Sequence, residues 1–207
     1  MSSDWLPRAL EESRARGFLS PQDLEGQIAH ARGFYLVWGS LRETPPRRLL
    51  DLGTGGGLPG LVLADHWGCD TVLLDSMERR GSFLREVIAG PGTPSGLSVV
   101  VARAEDAARD PALEGTFDLV TARSFAPPPV TAECAVRFLG VGAVAIVSDP
   151  PGGGDPGRWP DDGLARLGLR GSSHAAGGFS YRVLEKVRET EAGFPRPSGV
   201  PGRRPLW

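Results

Sequence analysis

The stretch LLDLGTGGGLPG at residues 49–60 decides the fold. A short apolar run is followed at once by a glycine-rich turn, and a helix-like segment comes next. This strand, turn and helix order is typical of the first unit of a nucleotide-binding α/β sheet. Gly55, Gly57 and Gly60 match the spacing G-x-G-x-x-G, but alone this match is weak because several classes of nucleotide use such turns.

Asp51 discriminates between the candidate ligands. A pyrophosphate binds best at a helix N-terminus without competing negative charge, and we expect Asp51 to present a carboxylate at the mouth of the turn. S-adenosylmethionine carries a sulfonium and an ammonium group and no phosphate, so a carboxylate near the glycines would attract its amino-acid end. The sequence therefore favours this cofactor, and a nicotinamide-dependent oxidoreductase is a distant alternative.

Outward from the turn, short apolar runs alternate with helix-like segments. The runs are typical of strands buried on both faces of a parallel sheet, and they read RLLDLG, TVLLD, LSVVVA, FDLVTAR and GAVAIVS. Helices are predicted at residues 59–66, 77–88 and 129–138. After the Gly- and Pro-rich loop SDPPGGGDPG, the segments LARLGLRGS and FSYRVLEKV predict an antiparallel strand pair at one sheet edge. The prediction is a Rossmann-type, doubly wound α/β fold with a mostly parallel sheet.

Two helices are predicted before the sheet, in an N-terminal helical segment at residues 1–45. Ser20 is expected to cap the second helix, with Pro21 at its first position and Asp23 completing a capping-box-like start. Its apolar stripe is expected to pack in the core and consists of Leu24, Ile28, Ala31, Tyr35 and Trp38. His30 lies beside this stripe and is expected to be structural. The nucleotide-binding domain would occupy residues 46–207.

Composition limits the other possibilities. The 207 residues are 40% hydrophobic, which is enough for one sizeable core. Neither a membrane span nor a signal sequence is indicated, so we expect a cytoplasmic protein. We favour a monomer. Cys69 and Cys134 are far apart and indicate neither a disulfide framework nor a metal site. The net charge of −2 is not that of a typical nucleic-acid-binding domain, and Lys186 is the only lysine. Arginine clusters that could converge on one face are Arg47 with Arg48, Arg79 with Arg80 and Arg85, and Arg196 with Arg203 and Arg204.

Acidic residues follow the next two strands. Asp75 ends the second strand about twenty residues beyond the glycines, where a carboxylate can accept hydrogen bonds from both ribose hydroxyls. The segment ARAED after the third strand could read the edge of an adenine. Alternatively, Glu105 and Asp106 are a solvated helix start whose charges suit the helix dipole.

Several motifs together resemble the bacterial RsmG (glucose-inhibited division protein B) family. They are DLGTGGGLPG, LLDSMERRGSFLREV, ARAED, FDLVTARSFAP and FPRPSGVPGRRPLW, and they extend from about residue 49 to the C-terminus. The resemblance implies a class I methyltransferase fold that transfers a methyl group from S-adenosylmethionine to N7 of a guanine in 16S (small-subunit) ribosomal RNA. Ribosomal RNA or a ribosomal particle would be the partner, with no membrane.

The resemblance also assigns roles to residues. Arg123 would face the reaction centre, Asp75 would hold the ribose, and Ala104 and Glu105 would flank the adenine. The expected cofactor-binding set is Asp51, Gly53, Gly55, Gly57, Leu58, Asp75, Ser76, Ala104, Glu105 and Arg123. Guanine N7 has an exposed lone pair and no proton to lose, so the reaction needs positioning and no general base or metal. Arg123 or Phe125 could stack on the guanine, whereas the alternative for Arg123 is a salt-bridged strand end.

Two features depart from the family. The segment before the first strand has only GQIAHARGFYLVW, and Ser148 and Asp149 stand where the family commonly has Lys-Gly after the fifth strand. A negative charge at this position is expected to weaken phosphate binding. A small-molecule acceptor and a non-catalytic ribosome-binding or RNA-binding relative are therefore kept as alternatives. The basic, Pro-rich tail would lie along RNA or pack back on the sheet.

Overall fold

The glycine-rich turn joins an interior strand of a seven-stranded sheet to the helix that follows it. The computed structural model describes residues 4–21 and 23–207. The strands are β1 (Arg48–Leu52), β2 (Asp70–Asp75), β3 (Leu97–Val101), β4 (Phe117–Ala122), β5 (Leu139–Asp149), β6 (Leu169–Ala176) and β7 (Phe179–Lys186). Their order is β3-β2-β1-β4-β5-β7-β6, and β7 is antiparallel to both of its neighbours. The predicted α/β fold, with its C-terminal antiparallel pair, is confirmed.

Helices cover both faces of this sheet. They are α1 (Trp5–Ala15), α2 (Leu24–Leu41), α3 (Gly60–Trp67), α4 (Glu78–Ile88), α5 (Ala104–Ala107), α6 (Pro128–Val136), α7 (Asp161–Arg166) and α8 (Val200–Arg203). Short 3-10 turns at Pro151–Gly153 and Pro156–Arg158 interrupt the loop after β5. The start of the segment LARLGLRGS, predicted to be strand, belongs to α7, and β6 begins only at Leu169 after the left-handed Gly168.

The alternation of side chains along β1 explains its continuous apolar run. Leu50 and Leu52 join one core cluster together with Phe117 and Phe138, whereas Leu49 joins a cluster on the other face. Successive side chains of a strand point to opposite faces, and here both faces are covered.

The start of α2 differs from the prediction. The helix begins at Leu24, and Asp23, not Ser20, is its N-cap, because the Asp23 carboxylate accepts a hydrogen bond from the Gly26 amide at 2.8 Å. Of the predicted stripe, Ala31 and Trp38 are buried, while the other three residues are half-buried. Phe34 and Val37, outside the predicted stripe, are also buried.

Helix α2 packs closely against β7. The Tyr181 hydroxyl donates a hydrogen bond to the carbonyl of His30 at 2.6 Å, and a side chain at Gly33 would collide with that hydroxyl. The predicted boundary between residues 45 and 46 falls in the loop that joins α2 to β1. The N-terminal helices therefore share a packed interface with the sheet.

The C-terminal tail packs back on the helices beside the sheet. Arg196 makes a bidentate salt bridge with the fully buried Glu133 of α6, at 2.9 Å from Nε to Oε1 and 2.6 Å from Nη2 to Oε2. Removal of either partner would leave an unpaired charge, so this bridge fixes the tail firmly. The amide of Gly199 and the hydroxyl of Ser198 then reach the start of α5.

The first two arginine clusters do not converge on one face. Arg47 and Arg48 lie at the amino end of β1, where both bind Asp118, while Arg79 and Arg80 follow the carboxyl end of β2. These are opposite ends of parallel strands. Within residues 4–21 and 23–207, no helix is long and apolar enough to cross a membrane. The same residues contain no group of three or more side chains suited to hold a metal ion.

Candidate functional site

Two adjoining cavities lie at the carboxyl ends of the parallel strands. The small cavity has a volume of about 230 Å³, and its walls include Gly53, Asp75, Ser76, Ala104 and Glu105. The large cavity measures about 670 Å³, and its walls include Gln27, His30, Arg123, Asp149 and Arg158. Ser124 and Phe125, after β4, line both. This is the edge at which open α/β sheets bind ligands.

The glycine turn needs its glycines for two reasons. Gly53, Gly55 and Gly57 have positive φ angles of 71°, 57° and 103°, which favour glycine. A Cβ atom at Gly53 would also collide with the ring of Phe125, and one at Gly57 would collide with Leu61. The turn is thus closely packed against the residues around it, and only Gly53 reaches a cavity wall.

Asp51 lies beneath the turn and not at its mouth, which corrects the sequence-based expectation. The residue is fully buried. One carboxylate oxygen accepts a hydrogen bond from the Gly60 amide at 2.8 Å, and the other accepts one from the Thr121 hydroxyl at 2.9 Å. Burial raises the pKa of Asp51 to about 6, although these hydrogen bonds oppose the rise. The side chain therefore connects β1 with α3 and β4.

Asp75 connects the glycine turn with α4. It is 5% exposed, and its two oxygens accept hydrogen bonds from the amides of Met77 (2.9 Å) and Gly55 (3.0 Å). Arg80 adds an ion pair at 3.2 Å. Ser76 is exposed beside it in the wall of the small cavity. A carboxylate is thus held in place by protein donors along one side of this cavity.

Ala104 and Glu105 form another part of the same wall. Both are buried, and Glu105 accepts hydrogen bonds from Arg103 at 3.0 Å and from the Gly199 amide of the tail at 2.9 Å. Burial pushes the pKa of Glu105 up, but these hydrogen bonds outweigh it and hold the pKa below its usual value. The alternative of a solvated helix start does not hold for Glu105, because this carboxylate is buried and bound to the tail.

Leu58 is placed differently from the expectation for a cofactor contact. Its side chain is 4% exposed and packs in the core with residues of α1 and α3. With Asp51, Gly55 and Gly57 it lies outside both cavity linings. Asp51 and Leu58 are thus buried beside the turn, and Gly55 and Gly57 belong to the turn itself. The expected residues that line the small cavity are Gly53, Asp75, Ser76, Ala104 and Glu105.

Arg123 follows β4 and lines the large cavity. Its Nη2 donates a hydrogen bond to the side-chain oxygen of Gln27 at 3.1 Å, while Nη1 is buried with no hydrogen-bond partner within the described residues. Burial lowers the pKa of Arg123, although the nearby Asp51 carboxylate opposes this. No salt bridge to Arg123 is found in the part of the chain that the structure describes, which argues against a salt-bridged strand end.

His30 and Gln27 reach the cavity from α2. The His30 ring lies 4.7 Å from the ring of Phe179 and 5.5 Å from that of Tyr181, between centroids. Burial and the charge of Arg123 lower the pKa of His30 to about 4, so the ring is neutral near pH 7. The expected structural role is met by these contacts, but the cavity position was not predicted. Gln27 carried no sequence signal, because a single amide on an amphipathic helix is unremarkable in a sequence.

Asp149 does not place a free negative charge in the cavity. Its side chain is 3% exposed, and one oxygen accepts a hydrogen bond from the Trp159 indole at 3.1 Å. The Nε of Arg158 lies 3.6 Å from the same oxygen. An arginine that sequence reasoning missed therefore faces this carboxylate, while weaker phosphate binding at Ser148 and Asp149 stays a prediction.

Comparison with known proteins identifies a close group of relatives. A family model described as rRNA small subunit methyltransferase G matches residues 36–147. A Symbiobacterium thermophilum protein named ribosomal RNA small subunit methyltransferase G is 35% identical over 178 residues, which cover 78% of this chain and 71% of that protein. A protein of the same name from Moorella thermoacetica is 30% identical over 187 residues, which cover 86% and 77%.

Solved structures support the fold. A cofactor-bound protein from MTB superposes with a TM-score of 0.63 at 22% identity, covering 89% of this chain and 90% of that one. A SAM dependent methyltransferase from Aquifex aeolicus gives a TM-score of 0.59 at 16% identity, covering 85% and 98%. The chain thus has the same overall fold as these two structures.

The burial of Asp51 predicts a pH-dependent stability. Its pKa is about 6 in the folded protein against an ordinary value of 3.8, so the unfolded chain releases this proton first as the pH rises. This group should therefore lower the unfolding free energy by up to roughly 3 kcal/mol between about pH 4 and pH 7. Asp51→Asn keeps a hydrogen-bond acceptor and buries no charge. In denaturant titrations the unfolding free energy of the variant should increase relative to that of the wild type as the pH rises. A difference in unfolding free energy that does not change with pH would contradict this.

Proposed function

The chain belongs to the rRNA small subunit methyltransferase G family, and from this premise we propose that it transfers a methyl group from S-adenosylmethionine to N7 of a guanine in small-subunit ribosomal RNA. The observation that carries the proposal is the position of the segment after β4. Phe125 lines both cavities, and Arg123 lines the large one with an unsatisfied donor. A donor molecule in the small cavity and an acceptor in the large one would meet at this segment.

The small cavity fits the cofactor. Asp75 would accept hydrogen bonds from the ribose hydroxyls, and Ser76 would contact the edge of the ribose. The start of α5 at Ala104 and Glu105 would lie along the adenine. The absence of a side chain at Gly53 leaves room for the Phe125 ring in the wall of this cavity. Asp51 would attract the positive amino-acid end through the floor of the turn, with Gly55, Gly57 and Leu58 shaping that turn. When bound, S-adenosylmethionine supplies an electrophilic methyl group on a sulfonium.

The large cavity fits a guanine. The base presents O6 and N7 as neighbouring acceptors, and a hydrogen bond from Arg123 to O6 would leave the N7 lone pair free to attack. Phe125 would stack on the base. N7 carries no proton, so no general base is required. A His30 pKa of about 4 agrees with this chemistry, because so weak a base would not deprotonate a hydroxyl acceptor.

Replacement of Arg123 should abolish most methyl transfer without unfolding the protein. We expect Arg123→Ala to lower the rate roughly 10- to 100-fold, because catalysis here depends on orientation and the loss of one anchor misplaces the base. Arg123→Lys keeps the charge but loses the planar fork, so it should recover only part of the rate. The assay is transfer of a labelled methyl group to unmodified small ribosomal subunits, with circular dichroism to check the fold. Wild-type rates in purified Arg123→Ala would refute this role.

Gly53→Ala tests the small cavity. The new methyl group must displace the Phe125 ring, so we expect the affinity for S-adenosylmethionine to fall at least about tenfold, or 1.4 kcal/mol, in calorimetric titrations. Gly68→Ala is the matched control, because Gly68 has a similar φ of 61° but no atoms within 4 Å of the added carbon. It should lose stability through backbone strain and keep its affinity. Equal affinities in the two variants would place the cofactor elsewhere.

A further inference from the structure

We propose that Arg158 binds a backbone phosphate beside the acceptor guanosine, in the large cavity. The proposal rests on the proposed function, because it assumes that the acceptor is part of an RNA strand. Arg158 ends the 3-10 turn Pro156–Arg158 and lines the large cavity together with Arg123. No role for it follows from the sequence motifs of the chain.

The guanidinium of Arg158 has spare hydrogen-bond donors. Its Nε is buried with no hydrogen-bond partner in residues 4–21 and 23–207, and the 3.6 Å approach to Asp149 is an ionic contact that is too long for a hydrogen bond. An arginine has five N–H donors in a planar fork that suits phosphate oxygens. About a third of the Arg158 side chain is exposed, so a ligand can reach it.

The carboxylates of the same cavity are engaged by the protein. Asp23, the N-cap of α2, accepts a hydrogen bond from the Gly26 amide, and Asp149 accepts one from the Trp159 indole. Among the described residues, Arg123 and Arg158 of this cavity each keep a buried nitrogen that has no hydrogen-bond partner. Unsatisfied donors on two cavity walls call for a ligand with acceptors at two places, as in a nucleotide with a base oxygen and a phosphate.

The backbone at Arg158 is held from several sides, so its side chain projects from a fixed point. The Trp207 indole donates a hydrogen bond to the Arg158 carbonyl at 3.0 Å, and Arg182 donates one to the Trp159 carbonyl at 3.1 Å. Trp159 itself is 4% exposed. A side chain on a fixed backbone loses less entropy on binding, which favours a specific contact over a diffuse electrostatic one.

The test measures methyl transfer to unmodified small-subunit RNA over a range of RNA and salt concentrations. The variants are Arg158→Ala, Arg158→Lys and the control Arg47→Ala, which removes an exposed arginine at the opposite end of the strands. For Arg158→Ala we expect the KM for RNA to rise roughly 3- to 10-fold while kcat and the affinity for S-adenosylmethionine stay unchanged. The slope of log(kcat/KM) against log[salt] should become shallower by about 0.7, the value for one phosphate on a single strand. Arg158→Lys should restore most of the slope, and the control should match the wild type.

Each other result overturns the proposal in a recognisable way. If the wild type methylates RNA and Arg158→Ala behaves like Arg47→Ala, the phosphate contact is wrong and the proposed function stands. If KM rises with an unchanged salt slope, Arg158 supports the cavity wall and binds no phosphate. If the wild type binds S-adenosylmethionine but methylates no RNA, the proposed function fails and the phosphate contact fails with it.

Discussion

The buried carboxylate of Asp51 is the interaction on which the site depends. It accepts hydrogen bonds from the Gly60 amide at the start of α3 and from the Thr121 hydroxyl of β4, so three elements are fixed by one side chain that water does not reach. The glycine turn lies above this point, and Arg123 follows two residues after Thr121. A charge in this position costs stability in the free protein, as its raised pKa indicates. If the ligand above the turn is a cation, its attraction to the Asp51 carboxylate offsets the free-energy cost of burying this charge.

The two ends of the chain complete the site that the central strands begin. From the N-terminal side, α2 brings Gln27 to Arg123 and His30 to the wall of the large cavity. From the C-terminal side, the tail is fixed by Arg196 on Glu133 and donates the Gly199 amide to Glu105. Helix α2 therefore forms part of the wall of the large cavity, and the tail packs behind the wall of the small cavity through its contact with Glu105.

Local and long-range features differ in how well the sequence predicted them. Strand runs, the antiparallel pair and the strand-end positions of Asp75 and Arg123 follow from hydrophobic periodicity and from the general placement of sites in α/β sheets. The start of α2 was mistaken because Asp23 adopts a left-handed conformation that Ser20 and Pro21 gave no reason to expect. Gln27 and Arg158 were missed because their positions depend on packing between distant segments. The direction of the Asp51 side chain likewise depends on contacts with α3 and β4 that no local pattern encodes.

The most direct test of the account is the identity of the methylated nucleoside. Unmodified small ribosomal subunits are incubated with the protein and S-adenosylmethionine that carries a labelled methyl group, and the RNA is digested to nucleosides and separated. The account predicts label in 7-methylguanosine alone, because Arg123 would hold O6 and leave N7 as the attacking atom. Label in a different nucleoside, or no label in RNA while the cofactor binds, would contradict it.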